Sequence, residues 1–294
     1  MSFHNNHNSC KCTINTYAFN KYICQTNFTV LKTILVPLSS QEKGKSTLQY
    51  VFDFAAHFSS EIVILKSFGI TTLTESTPQI DSVIRKDSLS ELNGILASID
   101  TQGLNYSIKM IKGKLIETCE EYLTENDVDL IISKPKKTKK DKDLFIGRLS
   151  GKMIKQLDCP ILLIPRNYVF KPFGKTILAI KSGILKKEEV LSPLSEIKEV
   201  FNTTVHLLQV KTPKLKEQEL TIHQDFLEIQ DCLHQTENAT VFVGAEAFYN
   251  EIKPDFLCVI RRKFGFFSKL WDKNTVKKAD FKSDVPVLVL KGSF

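Results

Sequence analysis

Short apolar runs alternate with longer amphipathic stretches along the chain from about residue 31 onward. Continuous apolar runs predict strands that are buried on both faces, because such strands have no polar side to expose. The stretches between them carry apolar residues three and four positions apart, which is typical of helices packed on one face. The predicted order is strand Thr33–Leu38, helix Lys45–Phe58, strand Ile62–Phe68, helix 80–99, strand Tyr106–Ile111, helix Leu115–Asn126, strand Leu130–Ser133, helix Gly147–Leu157 and strand Ile161–Ile164.

The second half of the chain repeats this order. Lys32-Thr33-Ile34-Leu35 recurs 143 positions later as Lys175-Thr176-Ile177-Leu178, and Asp129 and Pro160 recur 126 positions later as Asp255 and Pro286. Such self-similarity indicates a tandem duplication. The elements predicted in the second copy are strand Thr176–Ile180, helix Glu188–Phe201, strand Val205–Val210, a shortened helix 216–233, strand Thr240–Val243, helix Ala245–Ile252, strand Phe256–Ile260, helix Thr275–Phe281 and strand Val287–Leu290.

Alternating strands and helices favour parallel pairing with right-handed crossovers. We therefore predict an α/β protein of two tandem doubly wound domains, each built on a five-stranded parallel sheet. The expected domains are residues 31–167 and 172–294, with Pro172 and Gly174 as breakers at the joint. Residues 1–30 contain six Asn and are expected to form a disordered or extended segment.

Composition narrows the class of protein. Hydrophobic residues make up 42% of the chain and charged residues 25%, which is the balance of a globular protein. The absence of a run of 18 apolar residues excludes a membrane-spanning helix. Seven cysteines, at spacings that suit neither a disulfide framework nor a zinc ribbon, predict free thiols in a reducing cytoplasm.

A cluster of soft ligands near the start of the chain has two interpretations. His4, His7, Cys10 and Cys12 are spaced closely enough to hold a metal ion. The alternative is a polar tail, because a metal site with nothing packed around it lacks the groups that orient its ligands. We favour the tail and predict no metal there.

Several segments together resemble the universal stress protein family. In the first copy these are T-I-L-V-P at Thr33–Pro37, D-L-I-I from Asp129, and C-P-I-L-L-I-P at Cys159–Pro165. In the second copy they are D-F-L-C-V-I from Asp255 and V-P-V-L-V-L at Val285–Leu290. The resemblance implies a stress-response protein with an adenine-nucleotide α-hydrolase-like fold.

The resemblance also implies that domains pair through their last strands. In a tandem chain the two copies are expected to pair with each other through Ile161–Ile164 and Val287–Leu290, since an exposed apolar edge strand seeks a partner. A homodimer of the whole chain is a further expectation.

Many members of this family bind ATP in the crevice between the first and fourth strands. They carry an Asp at the end of the first strand and a Gly-x2-Gly-x9-Gly-Ser/Thr loop after the fourth, because glycines let backbone amides approach phosphates. Here most of those positions differ, and we predict that this mode of ATP binding is lost. The candidate ligand-binding residues, all at these positions except Gly113, are Ser39, Gly113, Lys134, Lys137, Gly147 and Arg148.

The second copy departs further from the family loop. Its loop positions hold Ile260, Lys263, Lys273 and Asn274, and its first strand runs into Lys181. A separate P-loop-like sequence, Gly44-Lys45-Ser46, lacks the second glycine five residues earlier and is predicted to be a polar turn.

Positive charge is concentrated on the same element of each copy. Residues 134–155 carry a net charge of +7 and residues 260–281 a net charge of +5, whereas the whole chain carries +7. These segments could bind a polyanion or nucleic acid. They could equally be solvated lysine-rich surfaces, which is the interpretation we favour because specific phosphate recognition prefers Arg.

No nucleophile, base and acid occur at a recognisable spacing. Cys159 is expected to be buried and inert, and His57 to have a structural role at a helix end. We therefore predict a non-enzymatic regulatory or binding module without a cofactor. The alternatives are an ATP-binding or slowly ATP-hydrolysing protein and a polyanion binder that uses the Lys-rich loops.

Overall fold

The computed structural model describes residues 31–39, 44–69, 77–134, 144–146, 148–165, 168–185, 187–213, 215–238, 241–261, 276–277 and 284–292. The predicted N-terminal segment, with His4, His7, Cys10 and Cys12, lies outside these residues. Below, residues 31–165 are called the first half and residues 168–292 the second half.

The first half alternates strands and helices in the predicted order. One short strand, Leu144–Ile146, was not predicted. The elements are β1 (Thr33–Leu38), α1 (Lys45–Ala55), β2 (Glu61–Phe68), α2 (Pro78–Leu96), β3 (Tyr106–Lys112), α3 (Leu115–Glu125), β4 (Leu130–Ser133), β5 (Leu144–Ile146), α4 (Arg148–Gln156) and β6 (Ile161–Leu163).

The second half begins in the predicted way and then departs from the prediction. Its elements are β7 (Lys175–Ile180), a 3₁₀ turn at Glu188–Leu191, α5 (Ser192–Phe201), β8 (Thr204–Lys211), a 3₁₀ turn at Glu217–Glu219, α6 (Gln224–Ile229), β9 (Cys232–Glu237), α7 (Val241–Ile252), β10 (Phe256–Arg261), β11 (Val276–Lys277) and β12 (Val287–Lys291).

Three of the second-half predictions are wrong. The helix predicted over 216–233 is a 3₁₀ turn and the short helix α6, and its end lies in strand β9. Residues 241–243 of the strand predicted over Thr240–Val243 are the start of helix α7, because a continuous apolar run does not distinguish a buried helix from a strand. Thr240 lies outside the described residues. Residues 276–277, predicted to be helical, pair as β11 with β5 in a separate two-stranded sheet.

Ten strands form one sheet in the order β3-β2-β1-β4-β6-β12-β10-β7-β8-β9. The five strands of each half are parallel to one another. The predicted α/β class with a mostly parallel sheet is therefore confirmed. Both faces of the sheet are covered, and adjacent residues of β1 show this: Ile34 packs into the core on one face and Leu35 into the core on the other.

The two halves meet where β6 lies beside β12. These strands are antiparallel, with Leu163 opposite Val287 and Ile161 opposite Val289. Antiparallel pairing relates the halves by an approximate twofold axis, so each half presents the same edge to the other. Each of the two cores therefore contains residues from both halves.

Aromatic rings add a second contact between the halves. Phe173, in the segment before β7, is fully buried, and its ring centroid lies 6.3 Å from that of Phe54 on α1 and 5.6 Å from that of Phe201 on α5. The ring centroid of His57 lies 4.9 Å from that of Phe201 and 5.3 Å from that of Phe170. His57 therefore has a packing contact at the end of the first-half helix, next to second-half rings.

Polar groups also tie the halves together. The carboxylate of Glu196 on α5 accepts a hydrogen bond of 2.6 Å from the backbone amide of Leu31. Arg261, at the end of β10, donates from its guanidinium to the backbone carbonyls of Ile154 and Leu157. These carbonyls lie at the C-terminal end of helix α4 of the first half, where the helix dipole favours a cation.

Two aspartates at matching positions anchor the first strand of each half. Asp129 accepts a hydrogen bond of 2.8 Å from the amide of Thr33, at the start of β1. Asp255 accepts hydrogen bonds from the amides of Gly174 and Lys175 at 2.9 and 3.0 Å, and from the Lys171 ammonium at 2.7 Å. Burial alone would raise the pKa of Asp255, but the Lys171 ammonium and the two amides lower it overall.

None of the helices in the described ranges is long and apolar enough to cross a bilayer.

Replacing Phe173 with Ala should remove the ring that contacts both halves. We expect a loss of about 3–5 kcal/mol in the free energy of unfolding, the usual cost of emptying a buried Phe site. Urea unfolding followed by circular dichroism measures this. Val169→Ala, at a site that is 78% exposed, should change stability by less than about 0.5 kcal/mol. Equal effects of the two substitutions would contradict the assigned packing.

Asp255→Asn should destabilise the protein at neutral pH. The pKa of Asp255 in the folded state lies below its ordinary value of about 3.9, which applies to the unfolded chain. The ionised carboxylate therefore stabilises the folded state fully at pH values above about 3.9. That contribution is lost as the pH falls through the folded pKa. The difference in urea midpoint between wild type and variant should therefore shrink between neutral pH and acid. Asp127→Asn, at an exposed position, is the control and should leave the urea midpoint at neutral pH close to that of the wild type.

Candidate functional site

Strand order defines one crevice in each half. β2 and β3 lie on one side of β1 within the sheet, and the chain later returns to place β4 on the other side of β1. A crevice therefore forms beyond the carboxyl ends of β1 and β4, which is where open α/β sheets hold their ligands. In the second half the equivalent position lies beyond β7 and β10.

A buried lysine stands beside the first crevice. Lys66 lies on β2 opposite Leu38 of β1, and only 2% of it is exposed. Its ammonium donates a hydrogen bond of 3.0 Å to the backbone carbonyl of Ser39, directly after β1. A buried cation requires such partners, so this bond links Lys66 to the residue that follows β1.

A second lysine reaches across the crevice. Lys134 follows β4, and its ammonium donates a hydrogen bond of 2.8 Å to the hydroxyl of Ser46 in the first turn of α1. That turn contains no acidic residue and is preceded by Gly44, whose φ of 75° is left-handed. Gly44-Lys45-Ser46 is therefore the polar turn that the sequence predicts. Lys134 holds this turn against the end of β4.

The structure places the other candidate residues as follows. Ser39 and Lys134 lie at the ends of neighbouring strands β1 and β4. Gly113 follows β3, which is separated from β1 by β2. Its backbone amide donates a hydrogen bond to the carbonyl of Phe68, and its φ is 134°. Arg148 begins α4. Lys137 and Gly147 lie outside the described residues.

Beside the second crevice the chain packs against its own turn after β7. Residues 217–223, called the 217–223 segment below, lie against the end of β7. The amide of Gly183 donates to the carbonyl of Glu219 at 2.8 Å, and the amide of His223 donates to the carbonyl of Gly183 at 2.9 Å. A Cβ atom added at Gly183 would lie 2.1 Å from the carbonyl oxygen of Thr221. The segment is therefore in direct contact with the turn that follows β7.

A buried glutamine holds this segment. Gln209 on β8 is fully buried, and its amide nitrogen donates to the carbonyls of Leu220 and Glu219 at 3.0 and 3.3 Å. Its amide oxygen accepts a hydrogen bond of 2.8 Å from Gln235 on β9. Gln209 and Lys66 are 143 positions apart, the same offset as the repeated first strands. Both halves thus use one strand position to hold a loop carbonyl near the crevice.

Three of the described cysteines are unsuited to nucleophilic chemistry. Cys119, Cys159 and Cys258 are buried, and burial raises the pKa of each thiol, that of Cys119 to about 12. The prediction that Cys159 is buried is confirmed, and its thiol lies 3.3 Å from the carbonyl of Val128. These thiols stay protonated at neutral pH.

Comparison with known proteins identifies the first half. The model of the universal stress protein family matches residues 31–165. Residues 31–165 therefore form a domain of the universal stress protein family. The recognition made from Thr33–Pro37, Asp129 and Cys159–Pro165 is therefore confirmed for the first half.

Solved structures of similar fold cover nearly the whole chain. A universal stress protein from Archaeoglobus fulgidus superposes with a TM-score of 0.69 at 17% identity, covering 91% of this chain and 98% of its own. A functionally unknown protein from Pseudomonas aeruginosa superposes with a TM-score of 0.57 at 17% identity, covering 90% and 94%. At such identities the likeness concerns the fold. No curated protein matches the sequence.

Sequence analysis missed the buried polar groups beside the two crevices. Lys66 and Gln209 each interrupt an apolar strand with a polar side chain at matching positions of the repeat. Polar residues at the same position of both copies could have pointed to these groups. No sequence pattern pointed to the contact of the 217–223 segment, because only the tertiary structure brings it to the end of β7.

Gly183→Ala should disturb the 217–223 segment, because the added methyl group would overlap the Thr221 carbonyl. We expect a loss of about 1–3 kcal/mol in stability, the usual cost of overpacking, together with faster proteolysis within 217–223. Thermal unfolding and mass mapping of the first cleavage products measure the two effects.

Gly94→Ala is the matched control, since a Cβ atom at Gly94 in α2 meets nothing within 4 Å. It should leave the cleavage pattern unchanged and keep or slightly raise stability. A Gly183→Ala protein as stable and as resistant as this control would contradict the close packing of the segment against Gly183.

Proposed function

We propose that this universal stress protein acts in stress response as a binding and regulatory module without catalytic turnover, and that neither crevice binds ATP in the manner of the family. The observation that carries the proposal is the 217–223 segment, hydrogen-bonded to Gly183 at the end of β7. We infer that this segment takes up the space that ATP would need beside the end of β7.

The first crevice supports the same proposal on different grounds. Lys134 stands where nucleotide-binding relatives carry the first glycine of the phosphate loop. A backbone amide can approach a phosphate closely only where no side chain intervenes. Here the Lys134 side chain extends to Ser46 and bridges the space between β4 and α1. Ser39 also replaces the family's Asp at the end of the first strand.

We further propose that residues 31–167 and 172–294 are two domains that pair within one chain. The antiparallel contact of β6 with β12, the Phe173 ring cluster and the Glu196 to Leu31 hydrogen bond support this pairing. The paired unit would be the form that meets a regulatory partner in the cytoplasm, alone or as a homodimer.

Titration calorimetry with ATP at near-physiological salt tests the proposal. We expect no one-to-one binding tighter than about 100 μM, which corresponds to about −5.5 kcal/mol. Purified protein should also release no stoichiometric nucleotide when it is denatured and its supernatant analysed by mass spectrometry. Tight one-to-one ATP binding that survives Gly183→Ala and is lost in Lys134→Ala would overturn the proposal and place the ligand in the first crevice.

A second candidate function is favoured by the charges at the first crevice. Lys134 places a cation beside the N-terminal turn of α1, where the helix dipole prefers an anion. A phosphate-bearing ligand could bind there between Lys134 and the amides of that turn. Under this alternative, Lys134→Ala should weaken binding of a nucleoside phosphate or inorganic phosphate at least about tenfold.

The polyanion alternative rests on Lys136, Lys137, Lys139 and Lys140, which lie outside the described residues. Binding of nucleic acid through them would fall steeply with salt, because each neutralised phosphate releases counterions. A gel shift at several salt concentrations, with these four lysines replaced by Ala, separates this alternative from the other two.

A further inference from the structure

Two neighbouring strands at the end of the sheet bring three metal-binding side chains together. His206 lies on β8, and Cys232 and His234 lie on β9, the edge strand. In the parallel register His206 is opposite Cys232, and Leu208 is opposite His234. Residues two apart on a strand share a face, so all three side chains lie on the face that also carries Leu208.

The spacing of the donor atoms suits one metal ion. The imidazole nitrogens Nδ1 of His206 and Nε2 of His234 are 3.2 Å apart, and these atoms and the Cys232 sulfur all lie within 4.8 Å of one another. Two nitrogen ligands about 2.0–2.1 Å from a tetrahedral ion are separated by about 3.3–3.4 Å. Little movement would be needed for the two rings to share an ion.

The surroundings orient the rings and leave them reachable. Helix α7 covers this part of the sheet, and the Phe248 ring centroid lies 4.5 Å from that of His234 and 6.4 Å from that of His206. His206, Cys232 and His234 are each half-buried. An ion could therefore enter from solvent while Phe248 holds the His234 ring in place.

Burial is the main cause of the lowered pKa of both histidines. Burial, and then the nearby Lys175, lower the pKa of His206 more than Asp231 raises it. Burial, and then His206, lower the pKa of His234 more than Glu251 raises it. Both shifts favour the neutral imidazole, which is the form in which histidine binds a metal.

We propose that His206, Cys232 and His234 form a Zn²⁺ site, with ligands Nδ1, Sγ and Nε2 and a fourth position open to water or an external ligand. A thiolate with two imidazoles is a ligand set that selects Zn²⁺ over Mg²⁺ and Ca²⁺. On binding, the Cys232 thiol gives its proton to solvent and becomes the thiolate ligand. This site is independent of both crevices.

A hydrogen bond between the two histidines is the competing explanation of the 3.2 Å contact. In that arrangement one ring donates an N–H to the other, and the Cys232 sulfur has no part. The two explanations differ in what Cys232 does. A thiolate bound to Co²⁺ gives a sulfur-to-cobalt charge-transfer band in the absorption spectrum. A hydrogen bond between the two rings gives no such band.

Titration of the full chain with Co²⁺, followed by displacement with Zn²⁺, tests the site. The tail residues are first replaced together (His4→Ala, His7→Ala, Cys10→Ser, Cys12→Ser), so that they cannot contribute. We expect one Co²⁺ per chain, a thiolate-to-cobalt band in the near ultraviolet and tetrahedral bands in the visible. In this background Cys232→Ser should remove the thiolate band, and His206→Gln or His234→Gln should weaken Zn²⁺ binding on the order of 100-fold.

Leu233→Ala is the matched control, because Leu233 lies on the same strand and is 41% exposed. It should keep the full Co²⁺ spectrum. A spectrum without a thiolate band, or one unchanged by Cys232→Ser, overturns the proposal.

A second measurement covers variants that fold poorly. Saturating Zn²⁺ should raise the melting temperature of the tail-substituted protein and of its Leu233→Ala derivative, since an ion that binds the folded state stabilises it. Circular dichroism without metal shows which ligand variants are folded. A folded Cys232→Ser or His206→Gln protein that keeps the full Zn²⁺ shift contradicts the site.

Discussion

The continuous apolar sheet is the constraint on which the rest of this protein depends. The inner strands are buried on both faces, and they include the strand of each half at the junction, β6 or β12. Without a partner these two strands would expose Ile161–Leu163 and Val287–Leu290. Pairing β6 with β12 satisfies the backbone groups of both edges and joins the cores on either face of the sheet. The aromatic cluster around Phe173 and the cap that Arg261 provides to α4 then follow from bringing these halves together.

The two crevices show how one backbone supports different chemistry. In each half, the strand next to the central one carries a buried polar residue that binds backbone carbonyls beyond the strands. Lys66 binds the Ser39 carbonyl with its ammonium, whereas Gln209 binds the 217–223 segment with a neutral amide. The buried amide of Gln209 is hydrogen-bonded to two carbonyls of the segment and to Gln235. Releasing the segment would be costly, because each broken bond would leave a buried polar group unpaired.

The edge of the second half is the part that departs most from the first. Here α6 is six residues long, where the corresponding α2 of the first half has nineteen. With less helix to cover the sheet, the outer strand β9 carries polar residues on both faces, and His206, Cys232 and His234 meet beside α7. The proposed Zn²⁺ site thus lies where the repeat has diverged from its own first copy.

The sequence alone determined the α/β class, the repeated first strands and the matching aspartates Asp129 and Asp255, because apolar strands and their anchors leave local, periodic patterns. It determined the family through residues 31–165 for the same reason. It did not determine that 241–243 would be helical, since a buried helix and a buried strand are equally apolar. Nor did it reveal that the 217–223 segment reaches Gly183, or that His206 would face Cys232 and His234. Those contacts join residues whose proximity is set by strand register and chain packing, which no local pattern records.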